Sequence, residues 1–229
     1  VKEWLYQLLS PSMVVTRSPR SYNSQVGVPL SVWLMNEQTQ VGVFEAGISQ
    51  PGEMQALRDI IQPTIGILTN LGPAHQENFP SMAAKCKEKL TLFHDTQAVV
   101  YCQDDELVNR CMSEFAYHGE QLAWSVKNDK AAFFVKSIEK KDITTTVTYV
   151  YNGKTEGRYS IPFIDEASVT NSIVSAIAAL YLGITTGQLA ERMAKLEPVA
   201  MRLEVTEGQP ARTPIHDPAN SDVNSPAIA

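Results

Sequence analysis

The stretch QVGVFEAGISQPGEMQALRDIIQPTIGILTNLGPAHQENF, residues 40–79, decides the fold. Residues 40–46 are an apolar run that ends at Glu45, SQPGE is a turn opening a helix over 53–61, and residues 64–69 (TIGILT) are a second apolar run. Short apolar runs bounded by Gly and Pro and joined through a helix read as strand, helix, strand. Runs without polar alternation predict parallel strands covered on both faces, with right-handed crossovers. Working outward, residues 97–102 (QAVVYC) predict another such strand, between helices over 81–93 and 104–115. Upstream, the spacing predicts a helix over 1–9, a short strand over 13–16 and a helix over 26–36. Downstream the pattern changes. Residues 121–161 hold four strand-like runs (LAWSV, AAFFVKSI, TTTVTYVY, GRYSIPF), and Asn152-Gly153 between the last two is a hairpin signal. An antiparallel meander attached to the parallel sheet is expected there. Helices follow over 168–182 and 186–196, then short strands in LEVTE and TPIHD.

Composition bounds the function. The chain has 229 residues, enough for one large α/β domain or two small ones. Apolar residues make up 44% and charged residues 19%, which suits a packed core and not a disordered acidic chain. The net charge of -6 argues against a generic nucleic-acid binder and a polybasic membrane anchor. Cys86, Cys102 and Cys111 form neither a disulfide framework nor a zinc pattern, which points to a cytoplasmic protein. No apolar run is long enough for a bilayer span. Val1 reads as the interior of a helix that begins upstream, and DVNSPAIA stops without a natural ending, so the chain is expected to be a piece of something longer.

Ligands of open parallel sheets sit at the carboxyl ends of the strands. Glu45, Asn70 and Asp217 stand at such ends, and His75 lies on the loop after Asn70. Singly, a strand-end Glu reads as a cap and a loop His as a surface group. Together, a carboxylate and an imidazole on neighbouring strand ends read as a divalent-metal site. The third member is sought in KCKEKLTLF. A helical lysine run is ordinarily a solvated face, the reading given to Lys85 and Lys87. Lys89 is followed by Leu90, Leu92 and Phe93, and apolar surroundings ease loss of a lysine proton. A neutral lysine amine takes up carbon dioxide to give a carbamate, whose hard oxygens suit Mg²⁺.

At this point the residues resemble a known family. SYNSQVGVPLSVW (21–33), FEAGISQPGEM (44–54), TNLGPAHQENF (69–79), KEKLTLF (87–93), VVYCQDDEL (99–107), EPVAMRLEV (197–205) and IHDPANSD (215–222) are, in order, similar to the central ATP-binding domain of the Mur ligases. Their wording is nearest the MurF type, the UDP-N-acetylmuramoyl-tripeptide–D-alanyl-D-alanine ligases, and within it the form fused to alanine racemase. The resemblance implies a P-loop-NTPase-like, mostly parallel sheet with flanking helices and an antiparallel appendage. It implies the central domain over 1–217, the start of the connection to a C-terminal domain over 218–229, and N- and C-terminal domains of the same polypeptide as its partners. The implied activity is ATP-dependent joining of D-alanyl-D-alanine to UDP-N-acetylmuramoyl-tripeptide through an acyl phosphate, in peptidoglycan precursor synthesis.

By the same resemblance, Glu45, His75 and a carbamylated Lys89 hold Mg²⁺. Asn171 contacts the adenine of ATP, Arg202 reaches the phosphates, and Asp217 meets the ribose. Asn23 and Ser24 stand where the uridine-sugar substrate approaches. Three departures stand against it. The family's G-T-N-G-K-T phosphate loop, with its strand, lies just before the helix that begins this chain, so the polypeptide alone is expected not to hydrolyse ATP. The family's His-Asn pair ahead of the adenine-contacting Asn is replaced by Ala167 and Ser168. HDPANSD stands where NDSYNSD is expected, and Pro226 interrupts an expected helix. The alternatives weighed are a folylpolyglutamate synthase-like ligase and a non-catalytic binding module without its phosphate loop.

Overall fold

The computed structural model describes residues 1–198. The element order is α1 (Lys2–Leu9), β1 (Val15–Arg17), α2 (Gly27–Val32), β2 (Val41–Val43), α3 (Glu53–Ile61), β3 (Ile65–Ile67), α4 (Met82–Thr91), β4 (Ala98–Cys102), α5 (Glu106–Glu114), β5 (Glu120–Ser125), β6 (Phe133–Lys141), β7 (Thr144–Tyr151), β8 (Thr155–Ile161), α6 (Glu166–Tyr181) and α7 (Thr186–Met193). The strands form two ladders: β1 and β2 pair in parallel, and a six-stranded sheet runs in the order β3-β4-β5-β6-β7-β8.

Central β4 shows why the apolar runs become parallel strands. Ala98 and Val100 face a core with Trp4, Leu8, Ile173 and Ile177 from α1 and α6. Their neighbours Val99 and Tyr101 face the opposite core, with Leu90 of α4 and Val108 and Met112 of α5. Successive strand residues point to opposite faces, so a strand covered twice must be apolar throughout. Val15, Val41 and Val43 of the small ladder pack on the same α1–α6 core, which ties the two ladders together without a backbone pairing. β3 crosses close to its cover: a Cβ on Gly66 would stand 2.3 Å from the Phe93 ring.

Helix starts follow their capping residues. Ser81, Asp105, Asp165 and Thr185 each accept a backbone N–H in the first turn of α4, α5, α6 and α7, and Thr185 with Gln188 completes a capping box.

The meander needs one correction. β5, read as its first strand, pairs in parallel with β4 and with β6, so only β6, β7 and β8 are antiparallel. The run LAWS is buried end to end and carries the same composition for either pairing, so only tertiary context sets its direction. The Asn152-Gly153 hairpin is present, with φ of 51° and 65° at the two residues, as a primed turn requires. The helix expected over 26–36 is shorter, ending at Val32. The expected strands LEVTE and TPIHD, Pro226 and the 217–218 boundary lie outside the described residues.

Candidate functional site

The carboxyl end of β2 delivers Glu45 into a network of loops. Its backbone N–H donates to the buried Ser18 hydroxyl at 3.3 Å, and the Asn23 side-chain amide donates to its carboxylate at 3.2 Å. The Asn23 carbonyl accepts from Gly47 N–H at 2.8 Å. Gly47 fits because a Cβ there would press to 3.2 Å from the Asn23 side chain. Ser24 is occupied locally: its hydroxyl accepts from Gly27 N–H at 3.1 Å, at the start of α2.

The loop after β3 carries His75 in the left-handed region, with φ 57° and ψ 22°. This backbone is costly for a residue with a Cβ and persists only where surroundings impose it. Gln76 N–H donates to Pro73 O at 3.0 Å, and Asn78 Nδ2 donates to Ser49 O at 2.8 Å, tying this loop to the one after Glu45. Glu53 closes the same loop by accepting from Ser49 N–H at 2.6 Å and Gln50 N–H at 2.9 Å. Burial pushes the Glu53 carboxyl up, but these N–H donors and the nearby His75 outweigh it and hold its pKa below the usual carboxylate range.

Helix α4 lies across both loops. Residues 85 and 89 share a helix face while 87 points away, since each residue turns the helix by ~100°. Lys87 is exposed and pairs with Glu114 at 2.7 Å, as its sequence reading expected. Lys85 corrects that reading. It is only 3% exposed, and its ammonium donates to Gly72 O at 2.6 Å and to Ala74 O. Glu88 accepts from Gly52 N–H at 2.9 Å and Met54 N–H at 3.0 Å, capping α3 from outside. Lys89 is half-buried in the last turn, within electrostatic reach of Cys86. Among the described residues, no three His, Cys, Asp or Glu side chains come together as metal ligands.

A cleft of about 210 Å³ opens at the carboxyl ends of β3, β4 and β5. Thr69, Asn70, Cys102, Asp105, Trp124 and Thr170 are among the residues that line it. Trp124 is 7% exposed, and its indole N–H is buried without a hydrogen-bond partner. Burial raises the Cys102 thiol, while N–H bonds from Asp105 and Asp104 pull the other way. Asn171, next to Thr170 on α6, is half-buried, and its carbonyl accepts from the Ser175 hydroxyl at 2.7 Å. The sequence marks Asn70 as a strand end, whereas Trp124 and Cys102 join the cleft only through the fold. The carboxyl-end rule applied to β4 and β5 as well would have found both. Arg202 and Asp217 lie outside the described residues.

Residues 1–179 match the model of the Mur ligase middle domain. The chain belongs to that family. The UDP-N-acetylmuramoyl-tripeptide–D-alanyl-D-alanine ligase of Bacillus subtilis is 23% identical over 227 residues, which span 98% of this chain and 48% of that protein. A crystal structure of MurF from Acinetobacter baumannii superposes with a TM-score of 0.78 at 22% identity, over 91% of this chain and 46% of that one. MurF ligase from Thermotoga maritima, solved in complex with ADP, gives a TM-score of 0.74 at 21% identity, over 86% of this chain and 45% of that one. This Mur ligase middle domain thus spans about half the length of the relatives it matches. No helix among its described residues is long and apolar enough to cross a membrane.

Proposed function

We propose that this chain is the central domain of an ATP-dependent ligase that joins D-alanyl-D-alanine to UDP-N-acetylmuramoyl-tripeptide in the cytoplasm. The observation that carries this reading is the Bacillus subtilis alignment, which runs through 98% of the chain to a ligase named for that activity. The cleft beside Asn171 supports an adenine site, with the unpartnered Trp124 indole as a further donor. Arg202 and Asp217 are proposed for the phosphates and the ribose, and Asn23 and Ser24 for the uridine-sugar substrate. The Asn23 contact with Glu45 makes Asn23 a positioning group as well.

In the proposed reaction a carboxylate oxygen of the muramoyl peptide attacks the γ-phosphorus of ATP, breaks its bond to the β-phosphate bridge oxygen and releases ADP. The amine of D-alanyl-D-alanine then attacks the acyl carbon, loses a proton and expels inorganic phosphate, leaving the amide. The protein's share is alignment and neutralisation of phosphate charge. Glu45 and His75 alone offer one hard oxygen group and one imidazole, a poor set for Mg²⁺, which prefers oxygen. A carbamylated Lys89 would add a second oxygen group, giving a donor set of the chemistry that Mg²⁺ accepts. Bound there, Mg²⁺ would screen phosphate charge. Glu45, His75 and the carbamate are proposed to hold it.

The test is phosphate release by the complete protein with ATP, D-alanyl-D-alanine and either UDP-N-acetylmuramoyl-tripeptide or a folate with glutamate. Release with the muramoyl peptide alone supports the reading, and release with the folate alone overturns it. In the same assay Lys89→Ala abolishes ligation, and added bicarbonate does not restore it. Full activity of Lys89→Ala would remove the carbamate.

A further inference from the structure

We propose that Lys85 is a positioning residue whose buried ammonium fixes the stance of His75. The proposal rests on the reading of His75 as a metal-site residue. Lys85 is one of the few charged side chains buried among the described residues, and its ammonium reaches two backbone carbonyls. The two it reaches, Gly72 O and Ala74 O, bracket Pro73 and lie immediately ahead of His75.

Besides these two bonds, the segment is held by Gln76 N–H to Pro73 O within the turn and by Asn78 Nδ2 to Ser49 O beyond it. Pro73 has no N–H to give, and His75 sits at φ 57°, where a side chain is disfavoured. The following 3₁₀ turn at Gln76–Asn78 starts with no side-chain cap. A cation under the two carbonyls makes charge-assisted hydrogen bonds, which are stronger than neutral ones. In low-dielectric surroundings those bonds select the one loop path that aims both carbonyls at the ammonium. That path places His75 in its left-handed conformation.

The same helix orders the facing loop. One turn further along, Glu88 takes Gly52 and Met54 N–H, and Asn78 bonds Ser49 across the gap. α4 therefore holds the loops carrying both proposed ligands, Glu45 and His75, with one cationic and one anionic side chain. A residue acting on a ligand through the ligand's own loop is expected to change metal affinity before it changes the fold.

The experiment uses the complete protein with ADP and Mn²⁺ as the probe, read by electron paramagnetic resonance. Lys85→Met, which keeps the volume and removes the donor, weakens Mn²⁺ binding about tenfold, the scale seen when the support of a metal ligand is removed. Lys85→Arg restores most of it, and Lys85→Met added to His75→Ala weakens binding no further than His75→Ala alone. Hydrogen exchange of the amides over 75–79 speeds up in Lys85→Met, while β4 amides stay protected. Unchanged Mn²⁺ affinity in Lys85→Met, with His75→Ala impaired, overturns the positioning role alone. Unchanged affinity in His75→Ala overturns the metal reading of His75 and this proposal with it. Ligation is assayed separately, so a wrong substrate assignment shows itself without touching either result.

Discussion

Asn23 and Glu45 are joined twice: the Asn23 side-chain amide donates to the Glu45 carboxylate at 3.2 Å, and the Asn23 carbonyl accepts from Gly47 N–H at 2.8 Å. One residue thus holds both the side chain and the chain path of the strand-end carboxylate. Asn23→Ala is expected to lower stability by about 1 kcal/mol, the net worth of such a bond. Asn23→Asp is expected to cost more than Asn23→Ala at neutral pH, where two carboxylates would face each other. Urea denaturation at neutral pH measures this. An aspartate variant no less stable than the alanine variant would contradict the contact.

The three cysteines differ in access. Cys102 lines the cleft and is half-buried, whereas Cys86 and Cys111 are buried, and burial with the neighbouring Cys111 pushes the Cys86 thiol up to about 12. Cys102 is expected to react first with a thiol reagent in the native protein. Its rate should keep climbing above the usual thiol range, because its own pKa is raised and the thiolate is the nucleophile. Saturating ADP slows this reaction if the cleft receives the nucleotide. Peptide mapping after partial labelling reads both effects, and an ADP-insensitive rate would move the nucleotide elsewhere.

Glu53 makes stability depend on pH in one direction. Its folded pKa is depressed, so its contribution is complete above the usual carboxylate range and is lost as pH falls through the folded value. Glu53→Ala should lose about 2 kcal/mol at neutral pH, the scale of hydrogen bonds to a charged group. The gap from the parent protein narrows in acid. A gap constant with pH would show that the carboxylate is not what closes the Ser49–Gly52 loop.

The parallel core was legible because it had little freedom. AVVY of β4 is buried on both faces, so only apolar residues serve there. The Asn152-Gly153 turn was legible because few residues tolerate its two positive φ values. The pairing of β5 was not legible: its burial is set by α6 on one face and α5 on the other, and neither is encoded in LAWS itself. Lys85 was misread for a related reason. Its neighbours in sequence are lysines, but its ammonium reaches carbonyls more than ten residues away in a loop. Glu45, His75 and Lys89 stood out as residue types, while the backbone network that supports them became visible only in the fold.

The most direct measurement of the central claim is isotope transfer by the complete protein. UDP-N-acetylmuramoyl-tripeptide labelled with ¹⁸O in the reacting carboxylate is incubated with ATP and D-alanyl-D-alanine, and the released phosphate is weighed by mass spectrometry. Acyl-phosphate ligation predicts one ¹⁸O atom in each phosphate, with one amide formed per phosphate. Unlabelled phosphate, or phosphate release without amide, would contradict it.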